Sequence, residues 1–373
     1  MVGAGVIGLA SAWRLAQAGM AVALVDPDPG GGASWAAAGM LAPVTEAHYG
    51  EEALLALNLA GAARWERFAA ELAEAAGRSI GYHRCGTLLV TLDAGDRAWA
   101  EELFRYQGEL GLDVSWLRGR QAREMVPALA PGVGAGLWAP GDHQVDNRLL
   151  LDALVDAVAG AGVELRRQAV DAVELSGGVV AGVVLDNGEA VAAATVVLAT
   201  GSTMAQMGGL PTGAVPSLRP VKGQILRLSP SPRAPGMGCS VRGMVEGSSV
   251  YLVPRRDGSL VVGATVEELG FDTEVTAGAV YELLRDARRL VPGVSEMGLG
   301  EATARLRPCS ADNGPVVGAC GPVPGLVVAG GHYRNGILLA PITAEAVAAV
   351  VGGAEGPPEI ATFGPDRFTG VAC

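Results

Sequence analysis

The sequence is poor in cysteine, in aromatic residues and in basic charge. Phe, Trp and Tyr make up 5% of the 373 residues, so Ala, Val and Leu must fill most of the core. A net charge of −12 lacks the basic footprint of a nucleic-acid-binding protein, and no nucleic-acid partner is expected. The five cysteines are scattered and form no C-x-x-C pair, which favours free thiols in a reducing cytoplasm over disulfides or a metal site. They are Cys85, Cys239, Cys309, Cys320 and Cys373.

The sequence also lacks an uncharged apolar run of about 18 residues, so no membrane span is expected. Its N-terminus is apolar, but no basic segment precedes Arg14, which favours a buried strand–turn–helix over a signal peptide. Half of the residues are hydrophobic and 18% are charged, as is typical of a globular protein with large buried faces. The length exceeds the usual size of a domain with one core, so two domains or one large composite are expected.

Two kinds of pattern alternate along the chain. Strand–helix–strand patterns occur at the start, the middle and the end, with antiparallel, hairpin-rich patterns between them. Helices are predicted at 7–18, 51–76, 94–110, 147–161, 277–290 and 342–351, and a loop at 27–43. This order predicts an α/β and α+β fold, in which a discontinuous Rossmann-like domain is interleaved with a substrate domain built on an antiparallel sheet. The predicted nucleotide domain comprises 1–45, 135–212 and 305–373, and the predicted substrate domain comprises 46–134 and 213–304.

The first eight residues, MVGAGVIG, contain a G-x-G-x-x-G pattern. Gly3 permits a tight turn, Gly5 lets a pyrophosphate approach the backbone, and Gly8 lets the next helix pack close to the sheet. The helix N-terminus offers free N–H groups to the phosphate. An apolar strand follows and ends at Asp26, where a carboxylate can bind ribose hydroxyls and would repel a 2′-phosphate. The turn predicts a dinucleotide site but does not distinguish NAD from FAD.

Only Met1 and Val2 precede this turn. The first strand of such a fold normally has about 4–8 apolar residues. We therefore expect that the natural protein begins several residues upstream, with an apolar run, and that this chain is a shortened form. The shortened form is expected to hold its cofactor more weakly.

Five motifs further along the chain resemble one family when taken together. They are ASWAAAGMLAP (33–43), RPVKGQILRL (219–228), VYLVPRRDGSLVVGATVE (250–267), ARLRPCSADNGPVVG (304–318) and GGHYRNGILLAPIT (330–343). In this order they resemble the FAD-dependent amine oxidases of the D-amino acid oxidase superfamily, and most closely its glycine oxidase branch of thiamine biosynthesis. The resemblance covers nearly the whole chain and implies FAD as the cofactor.

The resemblance implies oxidative deamination of glycine, or of a similar small amine such as sarcosine or D-alanine. Oxygen would be the electron acceptor and hydrogen peroxide a product, with the imine or glyoxylate feeding thiazole synthesis. The family mechanism is hydride transfer from a neutral amine to the flavin, so no catalytic base is assigned, and His332 is not given that role. Family members of this type are often homotetramers.

The resemblance also implies a set of FAD-binding residues along the chain. The small residues at 36–39 would let the backbone lie against a flat isoalloxazine ring, and Val170 matches a position that touches the adenine half. The set is Gly3, Gly5, Val6, Ile7, Gly8, Asp26, Pro27, Ala33, Ser34, Ala38, Gly39, Met40, Val170, His332, Tyr333, Arg334, Asn335, Gly336, Ile337 and Leu338.

Three residues are implied to bind the substrate: Arg307, Tyr251 and Arg334. Arg307 lies near a predicted strand end, and a guanidinium can hold a carboxylate through two parallel hydrogen bonds. That grip would aim the substrate Cα–H at the flavin. Tyr251 would add a hydroxyl to the same carboxylate, and Arg334 would border both substrate and flavin.

Three departures from the family pattern qualify these expectations. Ser249 stands where some members carry a His near the substrate. Val266 replaces a Met seen beside the flavin, which predicts a small apolar wall there. Relatives that hold flavin covalently use a Cys where Arg305 stands here, so noncovalent FAD is predicted.

Several alternatives stay open at this point. A D-amino acid dehydrogenase or a sarcosine oxidase of the same superfamily would share the motifs, and a non-catalytic FAD-binding protein would share the glycine turn. One methyl group in an apolar pocket changes affinity by only about 1–3 kcal/mol, so the sequence does not rank glycine against sarcosine or D-alanine.

Overall fold

A computed structural model describes residues 1–234 and 236–368, which leaves Cys373 outside the described residues. It is a mixed α/β fold, as the order of patterns predicted. The α-helices of the described residues are α1 Val6–Gln17, α2 Gly32–Ala36, α3 Glu52–Ala76, α4 Ala94–Glu109, α5 Gly119–Met125, α6 Asn147–Gly160, α7 Ala277–Leu290 and α8 Gly336–Val351. The strands of the described residues are β1 Ala23–Val25, β2 Met40–Leu41, β3 Thr87–Thr91, β4 Ser115–Arg118, β5 Ala135–Ala139, β6 His143–Gln144, β7 Glu164–Arg166, β8 Val170–Ser176, β9 Val179–Leu185, β10 Ala190–Ala192, β11 Val196–Leu198, β12 Arg219–Ser229, β13 Ser240–Val245, β14 Ser248–Pro254, β15 Leu260–Gly263, β16 Gly298–Cys309, β17 Val316–Ala319 and β18 Leu326–Gly330.

A mostly parallel sheet carries the glycine-rich turn. Strand β1 pairs in parallel with β7, β11 pairs in parallel with β18, and β17 runs antiparallel to β18. Val2 joins the two halves through parallel bridges to Val25 and Leu198. Its N–H donates to the Val197 carbonyl at 2.9 Å, and its own carbonyl accepts from Ala199 N–H at 2.8 Å. Val2 therefore occupies a strand position in the middle of the sheet, and the turn begins at its carboxyl end. Nucleotides bind at this end of the strands in α/β folds.

Helices α1, α3, α6 and α8 pack together beside this sheet. Phe68 makes edge-on contacts with Trp13 and Trp65, with ring centroids 5.7 and 5.5 Å away. The indole of Trp65 donates to the Leu338 carbonyl at 2.9 Å, which ties α3 to the first turn of α8. Three of the largest buried side chains, Trp13, Trp65 and Phe68, thus lie where the helices meet.

Helix α8 is apolar on all sides, which is typical of a helix enclosed by its own protein. With the turn before it, Tyr333–Val351 is long and apolar enough by composition to cross a membrane, although more than half of that stretch is buried here. The helix begins at Gly336, six residues before the predicted start at 342, and it therefore contains Pro341. Proline there removes one backbone hydrogen bond, and the surrounding core keeps the helix intact.

The described residues form a second, eight-stranded sheet in the order β16-β12-β15-β14-β13-β3-β5-β4. Its pairs are antiparallel except for β13 with β3. Helix α7 covers one face, where Leu283, Ala287 and Leu290 are buried. The opposite face of β12 and β14 is available for a site.

The predicted division into two domains stays a prediction. Helix α3, which the prediction assigned to the substrate domain, packs against α6 and α8. Strand β5, assigned to the nucleotide domain, pairs with β3 and β4 of the eight-stranded sheet.

Candidate functional site

A cavity of about 700 Å³ lies where the glycine-rich turn, the loop around α2 and the strands β12, β14 and β16 meet. Of the residues predicted to bind FAD or substrate, all except Gly8 line this one cavity. The structure therefore brings together residues from both ends and the middle of the chain, and their roles in binding stay a prediction.

Two glycines of the turn are required by close backbone contacts. Gly3 has φ +96°, and a Cβ there would lie 2.5 Å from the Ala199 carbonyl oxygen. A Cβ on Gly8 would lie 1.8 Å from the carbonyl oxygen of Gly3, which explains why Gly8 packs the helix and does not line the cavity. A Cβ on Gly5 would meet only the Ser34 hydroxyl, at 3.2 Å. Gly5 is therefore not required by backbone packing, and its missing side chain leaves space in the cavity.

The Asp26 carboxylate closes the turn against β1. One oxygen accepts from Ala4 N–H at 2.6 Å and the other from Asp28 N–H at 2.7 Å. This structural role was not foreseen from the sequence. Each carboxylate oxygen keeps lone-pair capacity for a ribose hydroxyl, so the predicted binding role is compatible with the geometry.

The small-residue loop after the turn contains helix α2, where the sequence predicted only loop. Side chains from other elements donate hydrogen bonds to the backbone carbonyls of this loop. The Asn147 amide donates to the carbonyls of Ser34 and Trp35, both at 2.8 Å. Arg227 donates to the Ala37 carbonyl at 3.3 Å, and Arg255 to that of Ala38 at 2.7 Å.

Because a trans peptide is planar, each N–H points opposite to the carbonyl of the same unit. The N–H groups of Ala38 and Gly39 therefore point away from Arg227 and Arg255, and both residues line the cavity. Burial lowers the pKa of Arg227 to about 10, so its guanidinium stays charged at neutral pH. Sequence reasoning missed Asn147, Arg227 and Arg255, although the two arginines stand inside or beside quoted motifs.

Arg307 and Tyr251 lie at the end of the cavity formed by the large sheet. The Arg307 guanidinium donates to the Thr265 carbonyl at 3.0 Å. It also crosses Gly223, where a Cβ would come within 2.4 Å of its nitrogens. Burial raises the pKa of Tyr251, an effect that the Arg307 charge opposes. The phenol is therefore protonated at neutral pH and can donate a hydrogen bond beside the guanidinium.

Arg334 completes this end of the cavity. Its guanidinium stands 4.9 Å from the ring centre of Tyr333. Tyr333 has φ +47°, a left-handed conformation that costs free energy for a bulky residue and occurs mostly at functional sites. The strained turn aims Arg334 into the same space as Arg307.

His332 is buried, and its Nε2 is 2.9 Å from the Thr343 hydroxyl. Burial lowers the pKa of His332 to about 3, so its ring is neutral at neutral pH. A ring with so low a pKa is a weak proton acceptor at neutral pH, and the expectation that His332 is not the catalytic base stays a prediction.

His332 makes stability depend on pH. Because its pKa is about 3 in the folded chain and 6.5 as a free side chain, the unfolded chain binds more protons between these values. Its contribution to the free energy of unfolding is therefore fully present above pH 6.5 and lost as the pH falls, with a loss of about 1.4 kcal/mol by pH 5.5. Between pH 7.5 and 5.5, we expect the melting temperature of His332→Gln to fall less than that of the wild type. The control is Gln206→Asn, an exposed change that removes no titratable group and is expected to keep the wild-type pH dependence. An acid-induced loss in His332→Gln equal to that of the wild type would contradict the assignment.

Two expectations at the rim need correction. The prediction that Val266 forms an apolar wall beside the flavin is wrong, since its side chain is 60% exposed and does not line the cavity. Its neighbour Thr265 accepts a hydrogen bond from Gln224 N–H of β12, and Val266 faces solvent. Ser249 is also exposed and lies outside the cavity, whereas Arg305 lines it.

Sequence reasoning also missed Glu46, which lines the cavity near Tyr251. Its carboxylate accepts from Arg242 at 2.7 Å, and both side chains are mostly buried. The two residues are 196 positions apart, and no local pattern in the sequence connects them.

The chain is similar to known proteins over nearly its whole length. A family model described as FAD dependent oxidoreductase, DAO, matches residues 1–350. The chain is 35% identical over 371 residues to the bifunctional protein ThiO/ThiG of Synechocystis sp., which covers 99% of this chain and 53% of that protein. The chain thus spans about half the length of that relative. It is also 35% identical to a glycine oxidase of Geobacillus kaustophilus, covering 99% of this chain and 97% of that protein. The crystal structure of glycine oxidase from the same organism superposes with a TM-score of 0.89 at 33% identity, covering 99% and 98% of the two chains.

Proposed function

Because the chain belongs to the DAO family of FAD-dependent oxidoreductases, we propose that it is an oxidase that deaminates glycine or a similar small amine, such as sarcosine or D-alanine. The observation that carries the proposal is the convergence of Arg307, Tyr251 and Arg334 with the glycine-rich turn in one cavity. The similarity to bifunctional ThiO/ThiG relatives supports a role of the product in thiazole synthesis for thiamine.

The residues of the cavity fit FAD. Gly5 leaves room for a pyrophosphate at the N-terminus of α1, where N–H groups and the helix dipole favour an anion. The backbone N–H groups of Ala38 and Gly39 are free to meet the polar edge of a flavin. When bound, FAD supplies the redox chemistry, as the acceptor of the substrate hydride and the donor of electrons to oxygen. Among the described cysteines none lines the cavity, which supports noncovalent binding.

The substrate carboxylate is held by Arg307 through two parallel hydrogen bonds, and by the hydroxyl of Tyr251. Arg334 borders the bound amino acid from the other side. Because both groups at the Arg307 end are fixed by the surrounding sheet, they orient the Cα–H bond as well as bind the substrate. The amine binds in its neutral form, and its proton is left to solvent. His332 stays bonded to Thr343 and takes no part in proton transfer.

Turnover tests the proposal directly. The purified protein is expected to be yellow and to release hydrogen peroxide from glycine at a rate above that from D-proline or L-alanine. Peroxide from sarcosine without any from glycine would move the assignment to a sarcosine oxidase. Dye reduction without oxygen consumption would indicate a dehydrogenase. A flavin that no amine bleaches under anaerobic conditions would indicate a non-catalytic FAD-binding protein.

We further propose a cytoplasmic homotetramer with no nucleic-acid or membrane partner. The free thiols of Cys85, Cys239, Cys309 and Cys320 support a reducing compartment. The acidic net charge argues against nucleic acid. Tetramer formation is supported by the family resemblance, and sedimentation analysis measures it.

A further inference from the structure

One carboxylate stands among the cations at the substrate end of the cavity. Glu46 accepts a hydrogen bond from Arg242 at 2.7 Å, and the side chains are 16% and 12% exposed. Although burial opposes ionisation, the charges of Arg242 and Arg334 hold the pKa of Glu46 below its usual value. Glu46 is therefore a permanent negative charge at neutral pH.

The structure fixes this carboxylate from two sides. Asp142, which is fully buried, accepts from the N–H groups of Val44 and Thr45 at 2.9 and 2.7 Å and from the Thr45 hydroxyl at 2.6 Å. These bonds hold the backbone that leads directly into Glu46.

On the other side, Arg242 of β13 is the cross-strand partner of Tyr251 of β14. Directly opposed residues of paired strands project from the same face of a sheet, and Tyr251 lines the cavity from that face. The charges of Arg307, Glu46 and Arg242 all act on the Tyr251 hydroxyl. The Glu46–Arg242 pair is therefore a neighbour of the proposed substrate carboxylate.

We propose that Glu46 determines specificity: its carboxylate occupies the place that a second substrate carboxylate would take, and so restricts the site to amines with one carboxylate. The inference rests on the proposed function. Arg307 and Arg334 line this end of the cavity, and Arg242 donates to Glu46, which lines it too. The substrate carboxylate pairs with Arg307, while Glu46 forms its ion pair with Arg242 and its charge also acts on Arg334. A second substrate carboxylate directed towards Arg242 would meet Glu46 instead of a free cation, and like charges in close contact are strongly unfavourable.

The test is Glu46→Gln, which keeps the shape and the hydrogen-bond acceptor for Arg242 but removes the charge. The probes are glycine and iminodiacetate, which is glycine with a second carboxymethyl group on nitrogen. We expect the ratio of kcat/KM for iminodiacetate to that for glycine to rise about 10- to 100-fold, mainly through a lower KM for iminodiacetate. The matched control is Glu345→Gln, which removes a carboxylate from a 2.7 Å pair with Arg64 outside the cavity lining and leaves the ratio unchanged.

A second variant keeps the charge of Glu46. Arg242→Lys retains a cation beside the Glu46 carboxylate, so it is expected to leave the ratio of the two kcat/KM values near that of the wild type. An unchanged ratio in a folded, flavin-containing Glu46→Gln protein would overturn the proposal.

Binding without turnover separates this inference from the proposed function. Calorimetric titration of the holoprotein with acetate and with malonate measures affinity for one and for two carboxylates. We expect Glu46→Gln to bind malonate about 10-fold tighter than the wild type does, with acetate changed less. If the wild type oxidises no amine, the proposed function fails, yet this shift would still report the role of Glu46. If malonate affinity does not change, the inference about Glu46 fails whatever the turnover result.

Discussion

Replacing Arg307 by alanine is expected to lower kcat/KM for glycine by about 30- to 5,000-fold, since truncating one partner of a buried, hydrogen-bonded charge pair costs about 2–5 kcal/mol. FAD content is expected to stay near the wild-type level, because the side chain acts on the substrate carboxylate and not on the glycine-rich turn. Steady-state peroxide assays, with absorbance at the flavin band as the measure of cofactor content, give both quantities.

The graded variant Arg307→Lys sharpens this prediction. Lysine keeps the positive charge but loses the planar fork that makes two parallel hydrogen bonds, so an intermediate loss is expected. The control is Arg120→Ala on helix α5, whose side chain is 85% exposed and far from the cavity lining. Near-wild-type kcat/KM in Arg307→Ala would show that the carboxylate binds elsewhere.

The parts of the site that were predicted from the sequence depend on local backbone geometry. The glycine turn at 3–8 is such a case, because a positive φ at Gly3 and the close contact at Gly8 leave no residue type but glycine. The motif at 330–343 is another, since the strained turn and the start of α8 are contiguous in the chain. For these segments, residue order and spacing are sufficient to predict which side chains meet.

The parts that were missed are contacts between distant segments. Asp142 and Val44 are separated by 98 residues, and Glu46 and Arg242 by 196. Whether such residues meet depends on how β13 registers against β14 and on where the loop after β2 passes over the sheet. A single sequence contains no local signal for that register, so a buried Arg on a strand cannot be assigned a partner.

The sequence also did not predict which side chains near a strand end face outward and which face inward. Val266 and Thr265 are adjacent in the chain, and a hydrogen bond between Thr265 and the backbone of β12 leaves Val266 exposed to solvent. A shift of one residue exchanges the two faces. The aligned motif alone therefore placed an apolar side chain in the cavity that the structure turns to solvent.

Gly5→Ala is expected to raise the dissociation constant for FAD about 100-fold or more, because a methyl group there displaces the pyrophosphate and weakens two charge-assisted hydrogen bonds of about 1.5–3 kcal/mol each. In the folded chain the methyl meets only the Ser34 hydroxyl, at 3.2 Å, and a small shift of that side chain makes room for it. The melting temperature of the protein without cofactor is therefore expected to stay close to that of the wild type. Fluorescence titration of the deflavinated protein measures the affinity.

Substitutions at two further glycines distinguish a loss of FAD affinity from a loss of folding stability. Gly8→Ala places a methyl 1.8 Å from the Gly3 carbonyl oxygen, so it is expected to destabilise the fold as well as the cofactor site. Gly132→Ala has no heavy atom within 4 Å and serves as the neutral control. FAD affinity within threefold of wild type in Gly5→Ala, with an intact melting transition, would mean that the pyrophosphate does not lie against Gly5. A fall in melting temperature shared by Gly5→Ala and Gly8→Ala would instead mean that both glycines serve helix packing, and the functional separation of the two positions would be lost.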